Sequence, residues 1–151
     1  MRPSVKEQLL GTCRVLEKVV SPCVADPYAR TILEGLIGNL RMLTSALPAV
    51  PGFLNSDNRT TAALLGQLQA VVAPDLAARI ALAVARHEPD AAEMTALDQR
   101  NCELRELFSQ GLCDAGLTPA MRDAALAHMT ARAARAPMRY VSTASTPPKA
   151  T

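Results

Sequence analysis

The sequence is poor in aromatic residues, with no Trp, two Phe and two Tyr in 151 residues. Leu, Ala, Val and Met must therefore build the hydrophobic core, and Leu and Ala strongly favour helix. The alternating Val, Thr and aromatic positions that are typical of strands are also missing. The composition predicts an all-α protein, and a chain of this length suits one domain.

Long apolar runs are absent too, so no transmembrane span is predicted. The N-terminal segment MRPSVKEQLLG lacks the apolar stretch and the cleavage site of a signal peptide. The cysteines form no C-x-x-C pair, which leaves a zinc ribbon or a thioredoxin-like site without support. We therefore expect a cytoplasmic protein with four free thiols, at Cys13, Cys23, Cys102 and Cys113.

Net charge is only +2, which is too small to indicate nucleic-acid binding. The charge is unevenly spread, because residues 119–151 hold five basic residues and one acid. Such a basic end suits an acidic partner, RNA or a membrane surface. It also suits the C-terminal turn of a helix, where cations are favourable.

Caps and breakers predict a bundle of six helices in residues 1–136 and a disordered, Ser-, Thr- and Pro-rich tail over 137–151. A capping box at Ser4 and Glu7 begins helix 1. The Pro- and Gly-containing segment 48–57 is predicted to be a loop, with Ser56 or Asp57 capping helix 3. The predicted helices cover about residues 4–20, 26–47, 57–72, 74–86, 90–112 and 119–136.

Helix 2 is apolar around most of its circumference, which is typical of a helix buried on several sides. We therefore expect it to be the central helix. Gly35, Asn39 and Met42 form a second stripe beside its Leu and Ile face, with Gly38 further round. Glycines weaken a helix by about 1 kcal/mol each. The stripe predicts the close approach of another helix or of a ligand.

Helix 5 carries a narrow seam of residues spaced three and four apart, with one polar member, Asn101. The amide has three possible roles: a hydrogen bond to a neighbouring backbone, the register of a self-association seam, or a polar group in a ligand pocket. Asp98 and Arg105 are positioned to extend it into a polar track. The seam consists of Met94, Leu97, Asn101, Leu104 and Phe108.

Helix 6 places His128, Arg132 and Arg135 three or four positions apart. This arrangement suits a bound carboxylate or phosphate, or a solvated face. Neither histidine follows a Glu by three residues, as a di-iron bundle would require. No Gly-rich nucleotide motif occurs. No metal, cofactor or catalytic residue is therefore predicted, and a non-catalytic protein is favoured over an enzyme.

The stretch RVLEKVVSPCVADPYARTILEGLIGNLRML, residues 14–43, resembles small bacterial all-helical proteins of unknown function. The resemblance rests on the pattern V-x-P…DPYA. Those proteins share gene neighbourhoods with acyl-CoA dehydrogenases and aminoglycoside-phosphotransferase-like kinases. The resemblance implies an accessory or partner role beside such enzymes and transfers no catalytic residue.

These observations favour a non-catalytic interaction or accessory protein that binds another protein or itself through helix 5. The alternative is a bundle that binds a small apolar or acyl ligand between helices 2 and 5, or an accessory subunit of acyl-CoA-metabolising enzymes. A helical enzyme acting through His128 is a third class. The candidate ligand- or interface-binding residues are Gly35, Gly38, Asn39, Met42, Asn101, Arg105, His128 and Arg132.

Overall fold

The computed structural model describes residues 3–90, 92–113 and 116–137. None of these residues lies in a strand, so the all-α prediction is confirmed. A π-helical turn, Leu16–Val20, and a 3-10 turn, Ser21–Cys23, extend the first helix, and a second 3-10 turn, Leu47–Ala49, follows the second helix. The α-helices are α1 (Val5–Val15), α2 (Pro27–Ala46), α3 (Val50–Leu68), α4 (Pro74–Ala85), α5 (Met94–Cys113) and α6 (Pro119–Arg135).

The predicted loop over 48–57 is wrong, because α3 begins at Val50. Pro51 falls in the first turn of α3, where the backbone N–H that proline lacks has no partner to lose. With the 3-10 turn Leu47–Ala49, helical conformation runs from Pro27 to Leu68 without a break. The described residues therefore form five helical segments rather than the six predicted.

Side-chain caps begin three of the helices, and the capping box predicted at Ser4 and Glu7 is confirmed. The Ser4 backbone N–H donates to Glu7 Oε2 at 2.7 Å, and the Glu7 N–H donates to Ser4 Oγ at 3.2 Å, which completes the capping box. The Asp26 carboxylate accepts from the N–H of Ala29 at 2.7 Å. Thr118 accepts from the N–H of Met121 at 3.3 Å. Each side chain satisfies an amide that the first turn leaves free.

The chain divides into two compact units, of which the first covers residues 3–48 and Pro137 in the described part. In this unit α1 packs against α2 as a helical hairpin. An ion pair of 2.5 Å between Arg41 and Glu17 joins the two helical segments. The only buried side chains in the described part of this unit are Cys13, Ile37, Thr44 and Ala46. The expectation that α2 is central and buried on several sides is therefore wrong.

The second unit, residues 49–136, holds the hydrophobic core. Its central helix is α5, which has seven buried residues and packs against α3. Gly111 of α5 lies close against α3, because a Cβ there would lie 3.2 Å from Leu68 Cδ1. The close approach predicted for α2 glycines is therefore found at a glycine of α5. The principal core side chains are Leu65, Leu68, Ile80, Leu104, Leu107 and Phe108.

No helix in the described part of the chain has the length and apolar character needed to cross a membrane. The predicted disordered tail lies outside the described residues, apart from Pro137. The prediction that residues 1–136 form one domain stays a prediction.

Candidate functional site: polar network and groove of the second unit

Two seams of matching spacing face each other in the second unit. Leu54, Asn58, Thr61, Leu65 and Leu68 on α3 recur four and three positions apart, and all five are buried. The α5 seam is buried as well, from Leu97 to Phe108. Its predicted role as a surface for self-association is wrong, because α3 of the same chain covers it.

Asn101 bonds to α3 side chains rather than to a neighbouring backbone or a second chain. Its Nδ2 donates to Asp57 Oδ2 at 2.8 Å and to Asn58 Oδ1 at 2.9 Å. The amide is 3% exposed and the Asp57 carboxylate 1%. Asp98 is exposed, and the polar track predicted along it does not form with Asn101. A buried polar group needs such partners, since an unmade bond costs about 1–3 kcal/mol.

The Asn58 amide extends these bonds toward the end of α4. Its Nδ2 donates to Glu88 Oε1 at 3.0 Å and to the carbonyl oxygen of Leu97 at 3.2 Å. Glu88 Oε2 in turn accepts from Arg100 Nε at 2.8 Å. The buried Arg100 guanidinium also donates to the carbonyl oxygens of Ala83 and Arg86, at 3.1 and 3.3 Å. It thereby satisfies carbonyls at the C-terminal end of α4.

Arg132 of α6 brings the third helix into the network. Its Nε donates to Asp57 Oδ2 at 2.8 Å, and its guanidinium lies 5.7 Å from the Phe53 ring centroid. Arg135 donates to Ser56 Oγ at 3.1 Å. Of the alternatives that the helix 6 pattern suits, Arg132 meets a carboxylate, that of Asp57 in the same chain. We call Asp57, Asn58, Glu88, Arg100, Asn101 and Arg132 the core polar network.

His128 lies one helical turn from Arg132 and is buried. Its Nε2 shares a hydrogen bond of 3.1 Å with Thr61 Oγ1, and its ring meets Phe108 edge-on at 5.6 Å between centroids. Burial lowers the pKa of His128 below its usual value; Arg132 and Arg135 act in the same direction, against the raising effect of Asp57. His128 is therefore a neutral ring near pH 7.

Two buried atoms stand out because they have no hydrogen-bond partner among the described residues: His128 Nδ1 and Asp57 Oδ1. Either tautomer of the neutral histidine leaves Nδ1 unsatisfied while Nε2 is bonded to Thr61. Orphan groups of this kind are rare in folded proteins, and each calls for an explanation. They mark this part of the unit as a candidate binding site.

A groove of about 300 Å³ runs between α5 and α6 beside this histidine. Asp57 bonds to both Asn101 and Arg132, while Phe108 contacts His128, so α5 and α6 run antiparallel. Arg105 and Arg132 consequently lie toward one end of the groove and Leu112 toward the other. The residues that shape it include Arg105, Phe108, Leu112, His128, Met129 and Arg132.

Arg105 is the one predicted site residue on α5 that faces solvent. It makes no hydrogen bond or ion pair with any other described residue. An unpaired guanidinium at the rim of a groove is free to bind an anion, since its fork of N–H donors matches a carboxylate. Of the predicted residues, the structure thus brings Arg105, His128 and Arg132 together at the groove, with Asn101 in the network beside it.

The predicted residues on α2 belong to the first unit. Gly35, Gly38 and Asn39 are exposed and Met42 is half-buried. A Cβ added to Gly35 or Gly38 would meet no atom of the described residues within 4 Å. No close neighbour in the described chain therefore accounts for these glycines. The ligand site predicted between helices 2 and 5 stays a prediction.

The described residues offer no group of three or more His, Cys, Asp and Glu side chains that could hold a metal ion. Cys13, Cys23, Cys102 and Cys113 are free thiols, as predicted, and only Cys13 is buried. Thr61 Oγ1 and His128 Nε2 pair a hydroxyl with an imidazole, as a nucleophile and base would, yet Thr61 is fully buried.

Sequence reasoning missed five members of the site: Asp57, Asn58, Thr61, Glu88 and Arg100. Asp57 was assigned to the cap of helix 3 and Asn58 to the residue after it. Neither was therefore expected on the buried face of α3. The signal that identifies Asn58 and Thr61 is the spacing of Leu54, Asn58, Thr61 and Leu65, which mirrors the α5 seam. Glu88 lies beyond α4 in a non-helical segment, where no periodicity points to it.

Comparison with family models, curated proteins and solved structures finds no match to this chain. The resemblance of residues 14–43 to bacterial helical proteins therefore stays a prediction, as does the accessory role that it implies.

Proposed function

We propose that this chain is a non-catalytic interaction protein that self-associates through its helical hairpin, residues 3–48. The observation that carries the proposal is an exposed apolar face on α2. Tyr28 is 75% exposed, Leu36 54% and Ile32 48%. These residues recur every four positions and share one side of the helix with Gly35 and Asn39. We call these five residues the outer face of α2.

Exposed apolar side chains are concentrated in the hairpin. Of the twelve large hydrophobic residues that are exposed in the described part of the chain, nine lie between Val5 and Leu47 and three lie in the second unit. Single exposed hydrophobic residues are ordinary, whereas a contiguous patch marks an interaction site. A hairpin that buries only four side chains leaves most of its apolar surface for another partner.

The outer face of α2 carries no charge. The charged residues of this helix, Arg30, Glu34 and Arg41, lie on the other side of it, and Arg41 is already paired with Glu17. Depletion of charge at the centre is the compositional mark of a protein interface. Gly35 in the middle of the face removes a side chain that would hold a second helix away.

A second copy of the chain is the partner that these features fit best. A face without charge meets its own copy without like-charge repulsion, and isologous dimers are by far the commonest oligomers. Two hairpins packed by their outer faces would make a four-helix bundle, which is the usual way in which helix pairs bury apolar stripes. This moves the self-association predicted for helix 5 to α2.

The test is the mass of the full chain in solution, measured by light scattering after size exclusion at tens of micromolar. We expect a dimer for the wild type. Ile32→Glu places an unpaired charge in the interface and should give a monomer. Leu82→Glu is the matched control, because Leu82 is 70% exposed on α4 of the second unit. It should leave the dimer intact.

Circular dichroism establishes that each variant is folded. A wild-type monomer at these concentrations would contradict the proposal, and so would a dimer that survives Ile32→Glu. A dimer lost equally in both variants would contradict the assignment to the hairpin. A stable complex with a different protein, but no dimer, would identify another partner for the same face and overturn the second copy as its occupant.

A further inference from the structure

The groove between α5 and α6 belongs to the second unit and has no part in the proposed self-association. Its volume of about 300 Å³ lies at the lower end of the range of pockets that hold small ligands. Ligand sites combine an apolar lining with a few polar groups that fix orientation. Phe108, Leu112 and Met129 supply the apolar part here.

Positive charge is concentrated at one end of the groove. Arg105 is unpaired among the described residues, and Arg132 donates only its Nε in the hydrogen bond to Asp57. The other N–H groups of the Arg132 guanidinium take no part in that bond. Asp57 does not line the groove, so its carboxylate does not occupy the space that a bound anion would take. A planar anion of two oxygens matches the fork of either arginine.

The opposite end of the groove carries no charge. Leu112 lies seven positions after Arg105 on α5, a distance of about 10 Å along the helix. Met129 lies between these ends on α6, on the same side of the helix as Arg132. A ligand that spans the groove therefore needs a charged head and an unbranched or flat apolar body of that length.

The buried histidine is a second, independent indication of a ligand. His128 lines the groove, is nine-tenths buried and has one ring nitrogen without a partner among the described residues. Its other nitrogen is bonded to Thr61, so the ring is fixed in place. A ligand oxygen that reaches the orphan nitrogen would remove the cost of leaving it unsatisfied.

We propose that this groove binds a small monocarboxylate with an apolar body, whose carboxylate lies at the Arg105 and Arg132 end and whose body lies along Phe108, Met129 and Leu112. Arg105 holds the carboxylate from the rim. Arg132 holds it from inside while remaining bonded to Asp57. The class of ligand follows from two arginine forks at one end and side chains without charge at the other.

The test uses octanoate as the probe, with calorimetry on the full chain and NMR signals of the His128 ring. We expect saturable binding that shifts the His128 signals. Octanol, which has the same apolar body and no charge, should bind at least tenfold more weakly. Arg105→Gln should weaken octanoate binding about tenfold, because hydrogen bonds to charged groups contribute about 1.5–3 kcal/mol.

Two further variants make the test specific. Arg122→Gln removes an exposed cation of α6 that does not line the groove, and it should bind octanoate like the wild type. Ala133→Trp fills the groove from an exposed position of α6 and should abolish binding without unfolding the chain. Both changes lie in the second unit, so we expect self-association through the hairpin to stay as in the wild type.

Four results would overturn the proposal: no saturable binding, equal affinity for octanol, equal losses in Arg105→Gln and Arg122→Gln, or unchanged binding in folded Ala133→Trp. Shifts confined to α1 and α2 would do the same, because they would place the probe on the hairpin. None of these results bears on the dimer, which is measured without the probe.

Discussion

Asn101 Nδ2 lies 2.8 Å from Asp57 Oδ2, across 44 positions of sequence, in a part of the core that solvent does not reach. The same nitrogen also donates to Asn58 Oδ1. Both α3 side chains therefore accept a hydrogen bond from the same amide nitrogen of α5. This relationship fixes the register of α3 against α5, because a slip of either helix by one residue would separate the donor from both acceptors.

Replacing Asn101 by Leu should destabilise the protein even though Leu is the better helix former. Leu keeps a similar volume but leaves Asn58 Oδ1 without its donor and the Asp57 carboxylate with one donor fewer. We expect the free energy of unfolding to fall by about 2–3 kcal/mol, measured by urea denaturation. Gln99→Leu on the exposed side of α5 should change it by less than about 0.5 kcal/mol. Equal effects would argue against the network.

Acidification should destabilise the protein through His128. In the unfolded chain the ring titrates near its ordinary pKa of about 6.5, while in the folded protein burial lowers that pKa. Below about pH 6.5 the unfolded state therefore binds a proton that the folded state does not, and stability falls until the pH passes the lowered folded pKa. Above about pH 6.5 both rings are neutral and the full stability is present.

The measurement is the free energy of unfolding between about pH 5 and 7, the range in which histidine titrates. His128→Gln should flatten this part of the profile. His87→Gln is the control, because His87 is exposed in the segment that follows α4. It should keep the wild-type slope. A slope that persists in His128→Gln would assign it to another group.

The sequence predicts the helices of this protein better than it predicts their partners. The α5 spacing correctly identifies a buried seam with Asn101 in it, since periodicity reports which side of a helix is apolar. It does not report what covers that side. A self-association seam and an intramolecular one have the same pattern, and only the register of Asp57 and Asn58 against Asn101 separates them.

The same limit applies to α2, for which the sequence predicts burial that the structure does not show. A helix that is apolar over most of its surface is expected to be buried, yet Tyr28 and Leu36 are exposed. The physical reason is that an apolar surface shows that burial would be favourable. It does not show whether the same chain buries that surface. The sequence does not indicate the groove either, because the groove forms only where Arg105 of α5 and His128 of α6 come together in the fold.

Gly38→Ala should stabilise the protein. Gly38 lies in the interior of α2, is exposed and has open space where a Cβ would stand. Alanine loses less backbone entropy than glycine on forming a helix, so we expect a gain of about 0.5–1 kcal/mol in the free energy of unfolding. Thermal and urea denaturation measure it. A loss of stability would show that Gly38 has a close neighbour.

Gly116→Ala should instead destabilise the protein. A Cβ at Gly116 would collide with the backbone carbonyl oxygen of Val71, which cannot move as a flexible side chain does. We expect a loss of about 1–3 kcal/mol, the usual cost of overpacking. The same denaturation experiments report it beside Gly38→Ala. A neutral result would mean that residues 69–73 move aside freely.

Arg100 should be the most sensitive arginine of the second unit. Its guanidinium bonds to Glu88 and to two carbonyls at the end of α4, three acceptors that one planar fork reaches together. Arg100→Met removes all of these bonds, and we expect a loss approaching the about 3–5 kcal/mol of a broken buried pair. Partial exposure of Glu88 keeps the loss below the upper figure, since water reaches that carboxylate.

Arg100→Lys should recover only part of this loss in urea denaturation, because a single ammonium cannot donate in three fixed directions. Arg86→Met is the matched control: it breaks the pair between Arg86 and Glu103, which are both exposed, while the carbonyl of Arg86 stays in place. That change should cost at most about 1 kcal/mol. If Lys restores full stability, charge alone would account for Arg100, and the carbonyl bonds that order the end of α4 would contribute nothing measurable.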